Sequence, residues 1–170
     1  MIRELAKKLA AFGEFADGVI IELEYRRGDF NSGAEILKRH SSMALLRASS
    51  ENAELLVKLI NPRREIKAAV GSRIDSSEKI WRVFTASEIL EFAAEVGDKN
   101  KIHRLNPPIV PALLILENLL TCAEFSNSNH LKIKFKSFIT AGEPLSLKIC
   151  CGEFEVQSAG IKKFSGRILS

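Results

Sequence analysis

Apolar residues recur along the chain with two different periods, which predict helices and strands. In the first eleven positions Ile2, Leu5 and Leu9 have helical spacing, so we predict a short amphipathic helix. From Val19 to Arg27 apolar and polar residues alternate, which predicts a strand with two different faces. The next patterns are fainter. We predict a short helix at Ala34 to His40, and then three strands at Met43 to Ala48, Glu54 to Ile60 and Glu65 to Ile74.

The second half of the chain shows a stronger helical signal, which follows a short predicted strand at Ile80 to Phe84. Thr85 and Glu88 have the spacing of a capping box, in which the hydroxyl and the carboxylate each accept a hydrogen bond from a free backbone amide. We therefore predict a helix from Ala86 to Val96 that ends at Gly97 in a left-handed turn.

A second helix is predicted after Pro111, because proline fits the first turn of a helix. The segment from Ala112 to about Phe125 is apolar on nearly all sides, so this helix should be buried. Four antiparallel strands are expected next, at Leu131 to Phe138, Leu145 to Cys151, Phe154 to Ala159 and Lys162 to Leu169. The segregation of helices and strands predicts the α+β class.

The polar stretch from Asp75 to Glu78 is the predicted boundary between two units. Residues 1–78 form a β-rich N-terminal unit, and residues 79–170 form the unit with the stronger pattern. A length of 170 residues fits one compact domain or two small fused ones, and it leaves no room for a large multidomain enzyme.

Composition and charge narrow the class of protein. Hydrophobic residues make up 46% of the chain and charged residues 27%, which is typical of a folded domain and excludes disorder as the main state. The net charge of +4 is too mild to favour a nucleic-acid partner. The most regular row of basic residues is Lys132, Lys134 and Lys136, and such a row is typical of a solvent-exposed strand face. The alternative is that these lysines bind coenzyme A phosphates or an acidic carrier protein.

Targeting and cysteine signals are weak. No apolar run is long enough to span a bilayer, and the first residues mix both charge signs, so we expect a cytoplasmic protein without a membrane segment or signal peptide. Cys122, Cys150 and Cys151 do not have the number or spacing of a disulfide framework or a metal site.

The residues that carry chemistry follow the end of the first helix of the second half. Asp98 and His103 lie five residues apart, and the bend at Gly97 can direct both side chains to one point. A carboxylate and an imidazole in this arrangement can hold a water molecule between a base and a proton donor.

The start of the apolar helix supplies a second feature. The first N–H groups, at Ala112 and Leu113, have no partner within the helix, and such donors stabilise charge that develops on a carbonyl oxygen. The acid–base pair, the free amides and the apolar helix together suit an acyl thioester in a hydrophobic slot.

These residues resemble the MaoC-like hydratase group of the hot-dog fold, which includes the (R)-specific enoyl-CoA hydratases and the 3-hydroxyacyl-thioester dehydratases. The hydratase motif of the family reads Gly-Asp-x-Asn-Pro-Ile-His, and Gly97 to His103 match all of it except the proline. The resemblance covers about residues 81–150, with further matches at Thr85, Phe92-Ala93, Ile109 to Leu116, Ile133 to Phe135 and Ala141 to Leu145.

The resemblance implies an α+β hot-dog fold, in which an antiparallel sheet wraps around the helix from Ala112 to Phe125. Residues 1–78 would then be a smaller β-rich unit or a degenerate second hot-dog half that has no site. Because hot-dog proteins usually pair through sheet edges, the resemblance also implies a homodimer or a higher even oligomer.

The resemblance further implies the roles of individual residues. Asp98 and His103 would activate water for addition to a trans-2-enoyl thioester of coenzyme A or a carrier protein, or run the reverse dehydration, without a metal or redox cofactor. Asn100 would shape the loop, the N–H of Ala112 would polarise the thioester carbonyl, and Leu113 would contact the substrate.

Three departures from the family keep other functions open. Lys101 replaces the motif proline, Ala112 replaces a glycine, and only eight residues separate His103 from Ala112. A non-catalytic acyl-CoA-binding or regulatory module and a thioesterase are therefore alternatives to the hydratase.

Overall fold

The structure is a computed structural model that describes residues 1–62 and 79–169. The strand predicted from Glu65 to Ile74 lies outside the described residues, and so does the polar stretch that marks the predicted boundary at residue 78. That boundary stays a prediction.

Within the described residues, nine strands form one antiparallel sheet in the order β2-β3-β4-β1-β6-β9-β8-β7-β5. The strands are β1 (Val19–Arg27), β2 (Gly33–His40), β3 (Met43–Ser50), β4 (Ala53–Ile60), β5 (Ile80–Val83), β6 (His130–Phe135), β7 (Pro144–Cys150), β8 (Glu153–Ser158) and β9 (Ile161–Leu169). Apolar side chains of the sheet form a common core with the helices.

The described residues form four α-helices, α1 (Ile2–Ala10), α2 (Ala86–Val96), α3 (Ala112–Leu119) and α4 (Ala123–Ser126). Helix α1 contacts β3, α2 and α3, so the N-terminal helix packs against both halves of the molecule. Helix α3 is buried as predicted, with Leu113 to Leu116 and Leu119 in the core. None of the helices among the described residues combines the length and the apolar composition needed to cross a bilayer.

The two halves of the sheet repeat one topology. After α1 the strands lie in the order β1-β4-β3-β2, and after α3 and α4 they lie in the equivalent order β6-β9-β8-β7. Strands β1 and β6 pair antiparallel and join the halves at the centre. The interpretation of residues 1–78 as a second hot-dog half stays a prediction.

The lysine row lies at this central junction. Its three members are exposed, as expected for an outer strand face. Lys132 and Lys134 form ion pairs with Glu24 and Glu22 of β1, at 3.7 and 3.4 Å. Opposite charges directly across a strand pair stabilise the pairing, and exposed pairs contribute roughly 0.2–1 kcal/mol each.

The prediction of a helix from Ala34 to His40 was wrong, because this segment is strand β2. It pairs along its length with β3, from Gly33 opposite Ser49 to His40 opposite Met43. An isolated helix of seven residues is unstable in water, whereas β3 supplies pairing partners along the whole segment except for one irregularity between Ile36 and Lys38. Strand pairing therefore decides the local structure.

The predicted helix from Ala112 to Phe125 is interrupted. Helix α3 ends at Leu119, and the short helix α4 begins after Cys122, whose backbone is extended. The hydroxyl of Thr121 donates a hydrogen bond to the carbonyl of Asn118 at 2.7 Å, and such a bond competes with the helical pattern.

We predict that Gly166→Ala destabilises the fold. A Cβ at this position of β9 would lie 2.3 Å from Phe154 and 2.4 Å from the carbonyl oxygen of Lys132, and a backbone atom of a central strand cannot move aside cheaply. We expect a loss of about 3 kcal/mol in the free energy of unfolding, measured by urea denaturation. Gly33→Ala is the matched control, because nothing lies within 4 Å of its added methyl group. Equal stability of the two variants would contradict the prediction.

Candidate active site

The end of α2 directs the chain into the site. The predicted capping box is present, since the Thr85 hydroxyl accepts from the amide of Glu88 and the Glu88 carboxylate accepts from that of Thr85. At the other end Gly97 has φ 73°, and the amide of Asp98 donates to the carbonyl of Ala93 at 2.8 Å. This is a Schellman turn, and it reverses the chain so that Asp98 starts a new loop.

Asn100 holds this loop from within. The carboxylate of Asp98 accepts a hydrogen bond from the backbone amide of Asn100 at 2.9 Å. The Asn100 side chain accepts from the amide of Ile102 at 3.2 Å and donates to the carbonyl of Gly18 at 2.9 Å. Asn100 therefore shapes the loop, as the resemblance implies, and also ties it to the N-terminal half.

A 3-10 turn over Lys101–Arg104 brings His103 back toward the start of the loop. Lys101 occupies the first position of this turn, where the backbone N–H needs no partner within the turn. This is also the position that suits a proline, so lysine can replace the motif residue without a change of backbone conformation.

His103 has a defined orientation. The residue is only 6% exposed, and its Nδ1 lies 2.7 Å from the carbonyl oxygen of Ile109. Because a carbonyl oxygen only accepts hydrogen bonds, Nδ1 must carry a hydrogen atom. The other nitrogen, Nε2, lies 3.4 Å from Oδ2 of Asp98, so it is the atom that can exchange a proton in the site.

Asp98 is held in its ionised form. Burial alone would raise the pKa of this carboxyl, but the hydrogen bond and the charge of His103 lower it, assisted by the amide of Asn100 and the charge of Arg104. The net pKa lies below the usual 3.8. The site therefore contains a carboxylate beside an imidazole nitrogen.

A cavity of about 480 Å³ adjoins the pair. The five residues singled out from the sequence all line it, namely Asp98, Asn100, His103, Ala112 and Leu113. The structure thus brings together residues that the chain separates by up to fifteen positions.

The start of α3 is open to the cavity. Pro111 precedes the helix, and no side chain of the described residues caps it. The first helical amides, at Ala112 and Leu113, begin the helix beside the cavity and have no intrahelical partner. The helix dipole adds partial positive charge there, so the arrangement suits an oxygen atom that becomes negative.

The contribution of the N-terminal half was missed by the sequence reasoning. Helix α1 supplies Ala6, Leu9 and Ala10 to the lining. The other N-terminal lining residues are mostly apolar or glycine and include Phe12, Phe15, Gly18, Val19, Ile20, Leu46, Val57 and Leu59. The apolar stripe of α1 was a signal that this helix packs on something, but periodicity does not identify the neighbour.

Comparison with known proteins identifies the fold. No protein-family model matches the sequence, and no curated protein matches it either. Among solved structures, HtdX from Mycobacterium tuberculosis is similar with a TM-score of 0.68 and 12% identity, over 98% of this chain and 84% of HtdX. A MaoC-like dehydratase from Phytophthora capsici is similar with a TM-score of 0.55 and 12% identity, over 92% of this chain and 70% of that one.

A third similar structure is that of a thioesterase. An acyl-ACP thioesterase from Bacteroides thetaiotaomicron is similar with a TM-score of 0.52 and 12% identity, over 94% of this chain and 79% of the thioesterase. The feature common to all of these proteins is the fold. This chain has the α+β hot-dog fold, as predicted.

We predict that Asn100→Ala destabilises the protein. The substitution leaves the carbonyl of Gly18 and the amide of Ile102 without a partner in a buried region, which costs about 1–3 kcal/mol for each group that water cannot reach. The measurement is the free energy of unfolding in urea. Asn127→Ala, at an exposed position, is the control and should change stability by less than about 0.5 kcal/mol. A similarly small effect for Asn100→Ala would contradict the role assigned to this side chain.

We also predict that the pKa of Asp98 lies below 3.8 and rises in His103→Ala, which removes the main stabilising partner of the carboxylate. A carbon-detected NMR titration of the Asp98 carboxyl measures both values.

Since the native pKa is lower than the unfolded one, ionised Asp98 stabilises the fold above about pH 3.8, and this contribution is lost as the pH falls through the native pKa. Asp98→Asn should therefore lose less stability than the unmodified protein between pH 7 and pH 3. An equal loss in both proteins would contradict the prediction.

Proposed function

We propose that this protein adds water to trans-2-enoyl thioesters, and in reverse dehydrates (R)-3-hydroxyacyl thioesters. The observation that carries the proposal is the geometry of the pair. An ionised carboxylate and an imidazole nitrogen lie 3.4 Å apart beside an apolar cavity, and the imidazole is fixed from behind by a backbone carbonyl.

One water molecule fits the chemistry of this pair. It donates one hydrogen bond to the carboxylate of Asp98 and the other to Nε2 of His103, which presents a lone pair when the ring is neutral, because Nδ1 then carries its only N–H hydrogen atom. The water oxygen then lies in a fixed position, with its lone pairs directed away from both acceptors and toward the substrate.

In the hydration direction the water oxygen bonds to the β-carbon of the enoyl group while Nε2 takes a proton from the water. The electrons of the double bond move toward the thioester carbonyl, and Nε2 then delivers its proton to the α-carbon, which restores the neutral imidazole. Asp98 stays ionised and stabilises the transient imidazolium. Because the hydroxyl group and the proton come from one face, the addition is syn.

The start of α3 stabilises the oxygen on which negative charge develops. The amides of Ala112 and Leu113 donate toward the thioester carbonyl as it becomes enolate-like. The methyl group of Ala112, in place of the glycine of the family, leaves this N–H intact. Backbone and side chains thus supply both the proton transfer and the charge stabilisation, so the proposal includes no metal or redox cofactor.

The cavity binds the acyl group in this proposal. Its lining from α1, β1 and α3 is mostly apolar, which favours a fatty acyl chain over a polar one. The thiol carrier in the proposal is coenzyme A or a carrier protein. The homodimeric state and the cytoplasmic location remain predictions of the sequence.

A thioesterase is the second candidate. The similarity to the acyl-ACP thioesterase shows that the same fold occurs in a thioesterase. A water molecule held by Asp98 and His103 can attack a carbonyl carbon as well as an alkene carbon. The products distinguish the two reactions, because hydrolysis releases a free thiol and hydration does not.

The test is a spectrophotometric assay with crotonyl-CoA and a longer trans-2-enoyl-CoA. We expect the enoyl absorbance to fall without thiol release, and both Asp98→Asn and His103→Ala to lower kcat by about 10²–10⁴-fold. The matched control is Asp29→Asn, because Gly28-Asp29-Phe30-Asn31 differs from Gly97-Asp98-Lys99-Asn100 at the third position only and Asp29 is exposed, so this variant should retain full activity.

Two outcomes would contradict the hydratase. Thiol release that depends on Asp98 and His103 would establish a thioesterase. Saturable acyl-CoA binding without turnover, unchanged in both variants, would establish the non-catalytic binding module.

A further inference from the structure

A buried ion pair lies outside the residues described so far. Glu143, just before β7, and Lys163 of β9 are 7% and 8% exposed, and Oε1 of the one lies 2.5 Å from Nζ of the other. Glutamate and lysine are rarely buried, because removing both charges from water costs more than their attraction returns unless further hydrogen bonds form. Where such a pair occurs, its remaining hydrogen-bond partners show what it holds.

The further partners all belong to one loop, the segment 136–143 that connects β6 to β7. Nζ of Lys163 also donates to the carbonyl of Phe138 at 3.0 Å, and the second carboxylate oxygen of Glu143 accepts from the amide of Thr140 at 3.1 Å. The backbone carbonyl of Lys163 accepts from the amides of Lys136 and Ser137, at 2.8 and 3.2 Å. The loop is thus folded around the lysine.

This loop in turn holds the segment 108–110. The amide of Val110 donates to the carbonyl of Ile139 at 2.8 Å, and the amide of Ala141 donates to the carbonyl of Pro108 at 2.9 Å. Between these two bonds, Ile109 and Thr140 form an isolated antiparallel bridge. Segment 108–110 is therefore held by loop 136–143 on one side, and on the other side the amide of Ile109 donates to the carbonyl of Ile102 at 3.1 Å.

Segment 108–110 adjoins both parts of the proposed catalytic machinery, the imidazole of His103 and the first amides of α3. The carbonyl of Ile109 accepts the hydrogen bond from Nδ1 of His103, which orients the imidazole. The segment also leads directly through Pro111 into the first amides of α3, at Ala112 and Leu113. A displacement of the segment would move the imidazole and the amide donors together.

We infer that Lys163 and Glu143 are positioning residues for this site. Their ion pair fixes loop 136–143, the loop fixes segment 108–110, and that segment sets the orientation of His103 and the place of the α3 amides. Neither residue touches the proton that is transferred. The inference deepens the hydratase proposal and rests on it for its effect on turnover, but not for its effect on His103.

The main variant replaces the pair by apolar residues, Glu143→Leu together with Lys163→Met. Exchange of a buried ion pair for apolar side chains of similar size is often neutral for stability, whereas removal of one partner leaves a buried charge alone. The matched control is Lys162→Met with Glu155→Gln. It removes the ion pair between the residue next to Lys163 in β9 and Glu155 of β8, both of which solvent reaches. Lys163→Arg keeps the charge and the donors.

The first readout is steady-state kinetics with trans-2-enoyl-CoA. We expect the double variant to lower kcat by roughly 10–100-fold, because the reacting groups are displaced, and to raise KM as well, because Lys136 to Ile139 of the same loop line the cavity. The control pair should leave kcat unchanged, and Lys163→Arg should retain most of the kcat of the unmodified protein. A double variant that keeps full kcat would overturn the inference.

The second readout needs no activity. In ¹⁵N-labelled protein the Nδ1–H of His103 should give a slowly exchanging, hydrogen-bonded resonance in the unmodified protein and in the control pair, and exchange should become at least tenfold faster in the double variant at an unchanged unfolding midpoint. An unchanged resonance would overturn the inference even if the protein proves inactive as a hydratase. Conversely, an altered resonance in a protein without turnover would support the positioning role and contradict only the proposed reaction.

A further variant covers the case in which the double variant does not fold. Glu143→Gln keeps the size of the side chain and an acceptor for the amide of Thr140, but it weakens the contact with Lys163. The same two readouts apply, with the same direction of change. Full kcat and an unchanged Nδ1–H resonance in this variant would overturn the inference.

Discussion

The antiparallel pairing of β1 with β6 is the contact on which the rest of the molecule depends. It joins two halves of the sheet that repeat one strand order, and it is supported across the strands by Glu22 with Lys134 and by Glu24 with Lys132. Because the sheet is continuous through this pair, α1 of the first half packs against α2 and α3 of the second. The cavity lies where these elements meet, so the central pairing also determines whether the site exists.

Within residues 1–62 no aspartate–histidine ion pair occurs, and these residues contribute lining and support to the site. It lines the cavity with apolar side chains, and through the carbonyl of Gly18 it holds the side chain of Asn100 inside the loop. Arg3 of α1 adds an ion pair to Glu117 of α3 at 2.9 Å. The N-terminal residues therefore close one side of the cavity that Asp98 and His103 line.

Within the site, backbone groups control what the side chains can do. The carbonyl of Ile109 makes Nδ1 of His103 a donor and leaves Nε2 to exchange a proton. When the imidazole is protonated, its hydrogen bond and its charge lower the pKa of Asp98 although the carboxyl is partly buried. Both effects are local consequences of a Schellman turn, an asparagine-held loop and one 3-10 turn. The segment that contains Ile109 is bonded to loop 136–143, and that loop is bonded in turn to β9, which lies two strands from β1 in the sheet.

The sequence by itself determined the features that depend on neighbours along the chain. The capping box at Thr85, the helix to Val96, its end at Gly97 and the start of the loop at Asp98 all follow from bonds that span five residues or fewer, so local pattern suffices to predict them. The hot-dog fold followed from the resemblance of the same stretch.

Tertiary structure decided the rest, because those features depend on contacts between distant parts of the chain. The segment Ala34 to His40 became a strand because β3 offered it a hydrogen-bonded edge, and no pattern within seven residues encodes that partner. The apolar stripe of α1 likewise predicted burial but not burial beside His103. The ion pair of Glu143 with Lys163 joins residues twenty positions apart, and its importance is visible only once the loop around it and the cavity beyond are in place.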